Sequence, residues 1–183
     1  MHMKHKHRHT LNYLLTPDYV LPTFEHVTPE LLEPLGIKAL LIDIDNTLAP
    51  YEQELPDERI KAWFDSMSAA GRSCALISNT HAPRVELFNR DLDLLAYADS
   101  GKPGKRTLLE AMKAMGSTPE NTAELGDQLL TDTLAVHRLD MISLIVPPIK
   151  DKKTPFFRFK RLLEKPFIAR YYKKSKAKED ISK

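Results

Sequence analysis

Cysteine is nearly absent: Cys74 is the only one in 183 residues. No disulfide can form within the chain, so packing must hold the fold, and a reducing compartment is compatible. Cys74 lies in the apolar run Cys74-Ala75-Leu76-Ile77 and reads as core rather than as a reactive thiol. Long apolar runs are missing too, and nothing approaches the roughly 20 residues that a membrane-spanning helix needs. The N-terminus alternates His2, His5, His7 and His9 with Lys and Arg, and no signal-peptide core follows it. That run reads as a solvated basic tail whose histidines are open to adventitious metal. Internal repeats are absent. The expectation is a cytoplasmic chain of one compact domain with some extra length.

Charge is balanced only in total, with a formal net of +2. Residues 11–149 carry 11 Lys/Arg against 21 Asp/Glu, whereas residues 150–178 carry 12 against two. An acidic body with a basic tail predicts an anionic partner for the tail. Three regions follow: an N-terminal segment (1–36) that packs on or leads into the core, a core (37–149), and a basic, aromatic-rich tail (150–183).

Strand and helix patterns alternate through the core. Thr28-Pro29 starts a short helix, with Val27 and Leu32 as a flanking apolar pair, and Gly36 ends it. Residues 39–42 form an apolar run of the kind buried in a parallel sheet. Asp57 opens an amphipathic helix carrying Ile60, Trp63, Phe64 and Met67, which Gly71 ends. Further strands are expected at 73–77, 94–98, 122–125 and 141–146. Helices are expected from Pro83, across Leu108 to Met115, and from 129 to about 139. The pattern predicts an α/β fold, a Rossmann-like parallel sheet with helices on both faces.

Polar residues gather where those strands end. Asp43 and Asp45 follow the first strand, and alternation puts both carboxylates on one side of the chain. Ser78 and Asn79 follow the second, Lys102 the third, and Asp127 the fourth. The carboxyl ends of parallel strands share one edge, where ligands of open α/β sheets bind. Paired acids call for a divalent cation, Lys102 suits phosphate as a point charge, and Ser78 donates a hydrogen bond. Asn79 fits a turn as well as a ligand. Asp132 fits the start of a helix as well as a site.

In order, Asp43-Ile44-Asp45-Asn46-Thr47, Ser78, Lys102 and Gly126-Asp127 with Asp132 resemble the four motifs of the haloacid dehalogenase superfamily of phosphatases. The resemblance covers residues 37–149. It implies Asp43 as nucleophile, Asp45 as general acid and base, and Ser78, Asn79 and Lys102 on the substrate phosphate. It also implies Mg²⁺ held by Asp43, the Asp45 backbone carbonyl and Asp127, with Asp132 orienting the metal's water or Lys102. Residues 46–77 and 79–101 leave no room for an inserted cap domain, so a capless, open site is expected, with 48–55 as a small flap. More closely, Leu15-Thr16-Pro17-Asp18-Tyr19-Val20, Asp43-Ile44-Asp45-Asn46-Thr47-Leu48 and Gly126-Asp127-Gln128 resemble YqeG-type bacterial phosphatases. These are similar to mitochondrial phosphatidylglycerophosphate phosphatase, which implies that lipid as substrate.

In the tail, Phe156, Phe159, Leu163, Phe167 and Tyr171 recur at helical spacing, widened by Phe157, Leu162, Ile168 and Tyr172, with Lys and Arg between them. Pro155 starts a helix that Pro166 should kink or break. Such a segment suits an anionic membrane surface over residues 150–178, and the protein is then peripheral on the inner face. Docking of the aromatic face on the protein's own core is the competing reading. Nucleic acid is not favoured, because the core is acidic. Two rival functions stand beside the lipid phosphatase: a phosphatase for a soluble phosphate ester or phosphoprotein, and a catalytically idle adaptor for membrane or RNA. Oligomeric state is not legible.

Overall fold

The computed structural model describes residues 10–150 and 154–181, so the His-rich N-terminus lies outside the described residues. In chain order the elements are α1 (Leu11–Leu15), β1 (Tyr19–Val20), α2 (Pro29–Leu32), β2 (Ala39–Ile42), α3 (Glu58–Ala69) and β3 (Ser73–Ile77). There follow α4 (Ala82–Asn89), β4 (Leu95–Tyr97), α5 (Arg106–Met115), β5 (Thr122–Gly126), α6 (Leu134–His137), β6 (Ile142–Ile145) and α7 (Pro155–Ile181). One six-stranded sheet runs β1-β6-β5-β2-β3-β4, and every neighbouring pair is parallel.

Strand β2 lies at the middle of this sheet and is buried along its whole length. Its side chains alternate between two cores. Leu40 and Ile42 pack with Ile60, Phe64 and Met67 of α3 and with Val85 and Phe88 of α4. Leu41, with Ala75 and Ile77 of β3, packs on Leu108 and Met112 of α5 and on Ala135 and Val136 of α6. Helices therefore cover both faces, as parallel crossovers require.

Local chemistry sets the helix ends. Thr28 and Asp57 accept from the amides of Leu31 and Ile60 at the starts of α2 and α3. Gly116 closes α5 at φ 65°, where a side chain would be strained. The indole of Trp63 donates to the carbonyl of Val27 at 2.8 Å, tying α3 to the N-terminal segment.

Three elements differ from the sequence reading. A sixth strand, β1, pairs with β6 at the sheet edge; at two residues it is too short to show a period. Its neighbour Asp18 fixes it, accepting from the Ser143 amide and facing Nε2 of His137, both at 2.9 Å. The helix expected over 129–139 is a π-turn, Leu129–Thr133, followed by the four-residue α6. Finally, Pro166 does not break the last helix: α7 is continuous with Pro166 inside it. The carbonyl that loses its partner belongs to Leu162, which is 59% exposed, so solvent can satisfy it.

Candidate active site

Lys102 is the hub of the site. Its ammonium is buried and donates to the Ile77 carbonyl at the end of β3, at 2.9 Å. It also meets three carboxylates: Asp43 at 3.2 Å, Glu124 at 3.0 Å and Asp132 at 2.9 Å. Asp43 follows β2 directly, and its amide continues the ladder to Leu125 at 2.9 Å. Parallel pairing brings these groups together: Leu41 is in register with Ala75 on one side and Glu124 on the other.

Asp132 explains the Gly-Asp spacing. One oxygen faces Lys102, and the other accepts from the amides of Asp127 at 3.2 Å and Gln128 at 3.0 Å. A Cβ at position 126 would collide with this carboxylate, so the position requires glycine. The same fold-back accompanies the π-turn, a feature common at functional sites.

Asp45 is held differently. Thr80 donates to its Oδ2, and Arg84 Nη2 to its Oδ1 at 3.2 Å. Arg84 is fixed in turn by the Glu54 carbonyl at 3.1 Å and lies over the Phe88 ring. Asn46 takes the left-handed turn beyond Asp45 at φ 66°, a conformation its type tolerates. Ser78 lines the cleft, and its hydroxyl accepts from the Thr80 amide. Asn79, expected with Ser78 at the phosphate, has both ends of its amide engaged with the 100–102 loop. Its Oδ1 accepts from the Lys102 amide and the Ser100 hydroxyl, and its Nδ2 donates to the Lys102 carbonyl. The described side-chain bonds of Asn79 thus brace the loop that presents Lys102.

The tail closes one side. Phe157 of α7 lines a cleft of about 40 Å³ shared with Asp43, Asp45, Ser78 and Lys102. Arg161 donates through Nη1 to the Asp127 carbonyl at 2.6 Å and through Nη2 to its carboxylate. Glu164, buried in spite of its charge, accepts from the amides of Leu129 and Leu130 and pairs with Arg161. No cap is inserted between the motifs, but the expected openness needs correcting: a helix from the far end of the chain forms a wall. That helix docks by Lys160, Arg161 and Glu164 and divides its apolar residues: Phe157, Phe167, Ile168 and Tyr171 are half-buried, whereas Phe159, Leu162, Leu163 and Tyr172 are exposed.

Charge in this cavity is unbalanced. Asp43, Glu124, Asp127 and Asp132 are buried beside two cations, Lys102 and Arg161. Burial pushes the Asp43 carboxyl up to about 8, against the pull of Lys102. Burial likewise raises Glu124 to about 8 and Asp127 to about 6. Burial alone would lower Lys102, but Asp132, Asp43 and Glu124 together outweigh it and hold the ammonium well above its usual value. Asp43, Asp127 and Asp132 each bring a carboxylate oxygen within 4.8 Å of the others. An all-oxygen donor set with surplus negative charge fits a hard divalent cation. Cys74 stays outside this chemistry, because burial raises its thiol to about 12.

Sequence reasoning missed Glu124, Thr80, Arg84, Arg161 and Glu164. Glu124 carried a signal, a lone acid between Ala123 and Leu125 in an apolar strand. Arg161 and Glu164 carried none, since a basic tail makes any one Arg look solvated.

A parallel sheet with this acid–lysine cluster at its carboxyl edge is what the resemblance to haloacid dehalogenase phosphatases implies, and the comparisons put the chain in the class of phosphatases, the phosphoric monoester hydrolases. Within it the chain belongs to the Mitochondrial PGP phosphatase family, whose model matches residues 9–147. It is 29% identical over 159 residues to "Probable phosphatase YqeG" of Bacillus subtilis (strain 168), covering 87% of this chain and 92% of that one. It is 28% identical over 171 residues to "Phosphatidylglycerophosphate phosphatase 1, chloroplastic" of Chlamydomonas reinhardtii, covering 86% of this chain and 62% of that protein. An uncharacterized protein from Listeria monocytogenes serotype 4b shares the fold. Its TM-score is 0.52 at 12% identity, over 65% of this chain and 85% of that one.

Proposed function

We propose that the protein removes the terminal phosphate of phosphatidylglycerophosphate to give phosphatidylglycerol, working at an anionic membrane surface with Mg²⁺ as cofactor. The observation that carries this reading is the convergence of Asp43, Lys102, Asp127 and Asp132 at one sheet edge in a chain of this family.

Asp43 attacks phosphorus and forms an aspartyl phosphate, while the glycerol oxygen leaves. Asp45 donates a proton to that oxygen and later takes one from the attacking water. Thr80 and Arg84 hold Asp45 in place for both transfers. Lys102 and Ser78 face the phosphoryl oxygens and stabilise the charge developing there. Asp43, the Asp45 carbonyl and Asp127 would hold the metal, which would supply positive charge against the phosphate. Asp132 keeps Lys102 and the 127–128 backbone aligned.

Membrane contact is assigned to the outer face of α7. Phe159, Leu162 and Leu163 are exposed there, with Arg158 and Lys165 nearby in sequence. Apolar side chains flanked by cations suit an anionic interface. Among the described residues no helix is long and apolar enough to cross a membrane.

The test is phosphate release with Mg²⁺ from phosphatidylglycerophosphate in anionic vesicles, set against soluble sugar phosphates, nucleotides and a phosphopeptide. A clear preference for the vesicles is expected. A preference for any soluble compound would overturn the lipid assignment and leave the hydrolase.

A further inference from the structure

A groove of about 460 Å³ runs beneath α7, on the side of Asp127 that faces β1 and β6. This size lies within the ~300–1,000 Å³ range of ligand pockets. Its walls are mostly apolar: Val20, Leu129, Ile145 and Val146 from the sheet side, with Ile168 and Tyr172 from the helix. Asp127 lines it and also belongs to the acid cluster, so the groove adjoins that cluster, while the cleft beside Ser78 and Lys102 has a separate lining. Glu164 lines it too, and Arg161 is engaged by Asp127 and Glu164, so Lys165 carries the remaining positive charge of the lining. Apolar walls, a cation, then a phosphate site follow the same order as the hydrocarbon chain, internal phosphodiester and terminal phosphomonoester of one molecule.

We propose that this groove receives an acyl chain of the lipid substrate, with Lys165 meeting its internal diester phosphate. The proposal rests on the lipid reading above and adds where the chain goes. The outer face of α7 and the groove then have separate tasks: one touches the bilayer, and the other holds hydrocarbon drawn from it. Ala169 lines the groove and is exposed, so a larger side chain there fills space without displacing packed core.

The experiment measures kcat/KM of the full chain with Mg²⁺ on three substrates: dioleoyl phosphatidylglycerophosphate in mixed micelles, its dihexanoyl form below the micelle concentration, and the deacylated headgroup. The dihexanoyl form separates groove binding from partition into a surface. For the wild type, a rise of at least ~10-fold from headgroup to dihexanoyl substrate is expected, about 1.4 kcal/mol of chain burial. Ala169→Trp and Ile168→Glu should each reduce that ratio to near one. Turnover of p-nitrophenyl phosphate by each variant verifies that it is folded. An acyl preference that survives both substitutions overturns the groove and leaves the lipid reading standing. A wild type indifferent to acylation, or one that hydrolyses none of the three, overturns the lipid reading and the groove with it.

Discussion

Arg161, 34 residues beyond Asp127 in the chain, donates to both the main-chain oxygen and the carboxylate of that residue. The tail is therefore part of the site's electrostatics as well as the proposed membrane surface. A cation on a proposed metal ligand opposes binding of a second cation. Arg161→Ala should tighten Mg²⁺ binding by roughly tenfold, the scale of one neighbouring charge at partial burial. Titration calorimetry of both proteins measures it. Weaker binding in the variant would mean that Arg161 organises the ligands instead of competing with the metal.

The pH behaviour follows from the raised carboxyls. In the metal-free protein Asp43 and Glu124 sit near 8 and Asp127 near 6, all above their usual values because of burial. The folded state thus binds more protons than the unfolded state from about pH 4 to 8. Metal-free stability should fall as pH rises across that window. Mg²⁺ must displace protons from Asp43 and Asp127, so its affinity should climb from pH 6 to 8, with proton release. Calorimetry in buffers of different ionisation heat reads the release. Affinity independent of pH would contradict the assigned ligands.

Glu124 offers a stability contrast. Its carboxyl is fully buried against Lys102, and its other oxygen has no hydrogen-bond partner among the described residues. Glu124→Gln preserves shape and the bond to Lys102, so it should cost under ~1 kcal/mol. Glu124→Ala leaves a cavity and removes a partner from a buried cation, and should cost about 3 kcal/mol. Urea denaturation of the two variants separates the effects, and equal losses would contradict this account.

Removing residues 150–183 is a poor test of membrane binding, because Glu164 satisfies the amides of Leu129 and Leu130. Serine at Phe159, Leu162 and Leu163 together is cleaner, since all three are exposed. Vesicle affinity should fall by about 100-fold or more, given roughly 1.5–3 kcal/mol per buried large apolar side chain. Hydrolysis of p-nitrophenyl phosphate should hold. Unchanged co-sedimentation with anionic vesicles would remove α7 as the contact.

Much of this was legible in the chain, for identifiable reasons. Strands β2, β3 and β5 are short apolar runs ending in a polar group, so Asp43, Ser78 and Asp127 mark strand ends in sequence, whereas Lys102, read there as another strand end, lies five residues beyond edge strand β4. Asp132 was legible only through the motif it completes with Gly126-Asp127, and the structure supplies the reason for that spacing, since glycine at 126 and the acid at 132 are two halves of one steric fit. Edge strand β1 was hidden because Asp18 and pairing with β6, rather than periodicity, define it. The continuity of α7 was hidden because a proline's effect depends on whether the freed carbonyl meets solvent. Arg84 and Arg161 were hidden because only the fold decides which arginine meets a buried acid.

The most direct test of the central claim is to quench the enzyme in acid during turnover of substrate labelled with ³²P on its terminal phosphate. Acid-stable ³²P on the protein reports the acyl phosphate, and in a parallel sample tritiated borohydride reduces it, releasing the phosphate and leaving tritium in homoserine at position 43 for peptide mapping. Label is expected on Asp43, and Asp43→Asn should lose both label and turnover, by on the order of 10⁴–10⁶-fold, as when a nucleophile is removed. Steady turnover without label on Asp43, or turnover that survives Asp43→Asn, would contradict the account.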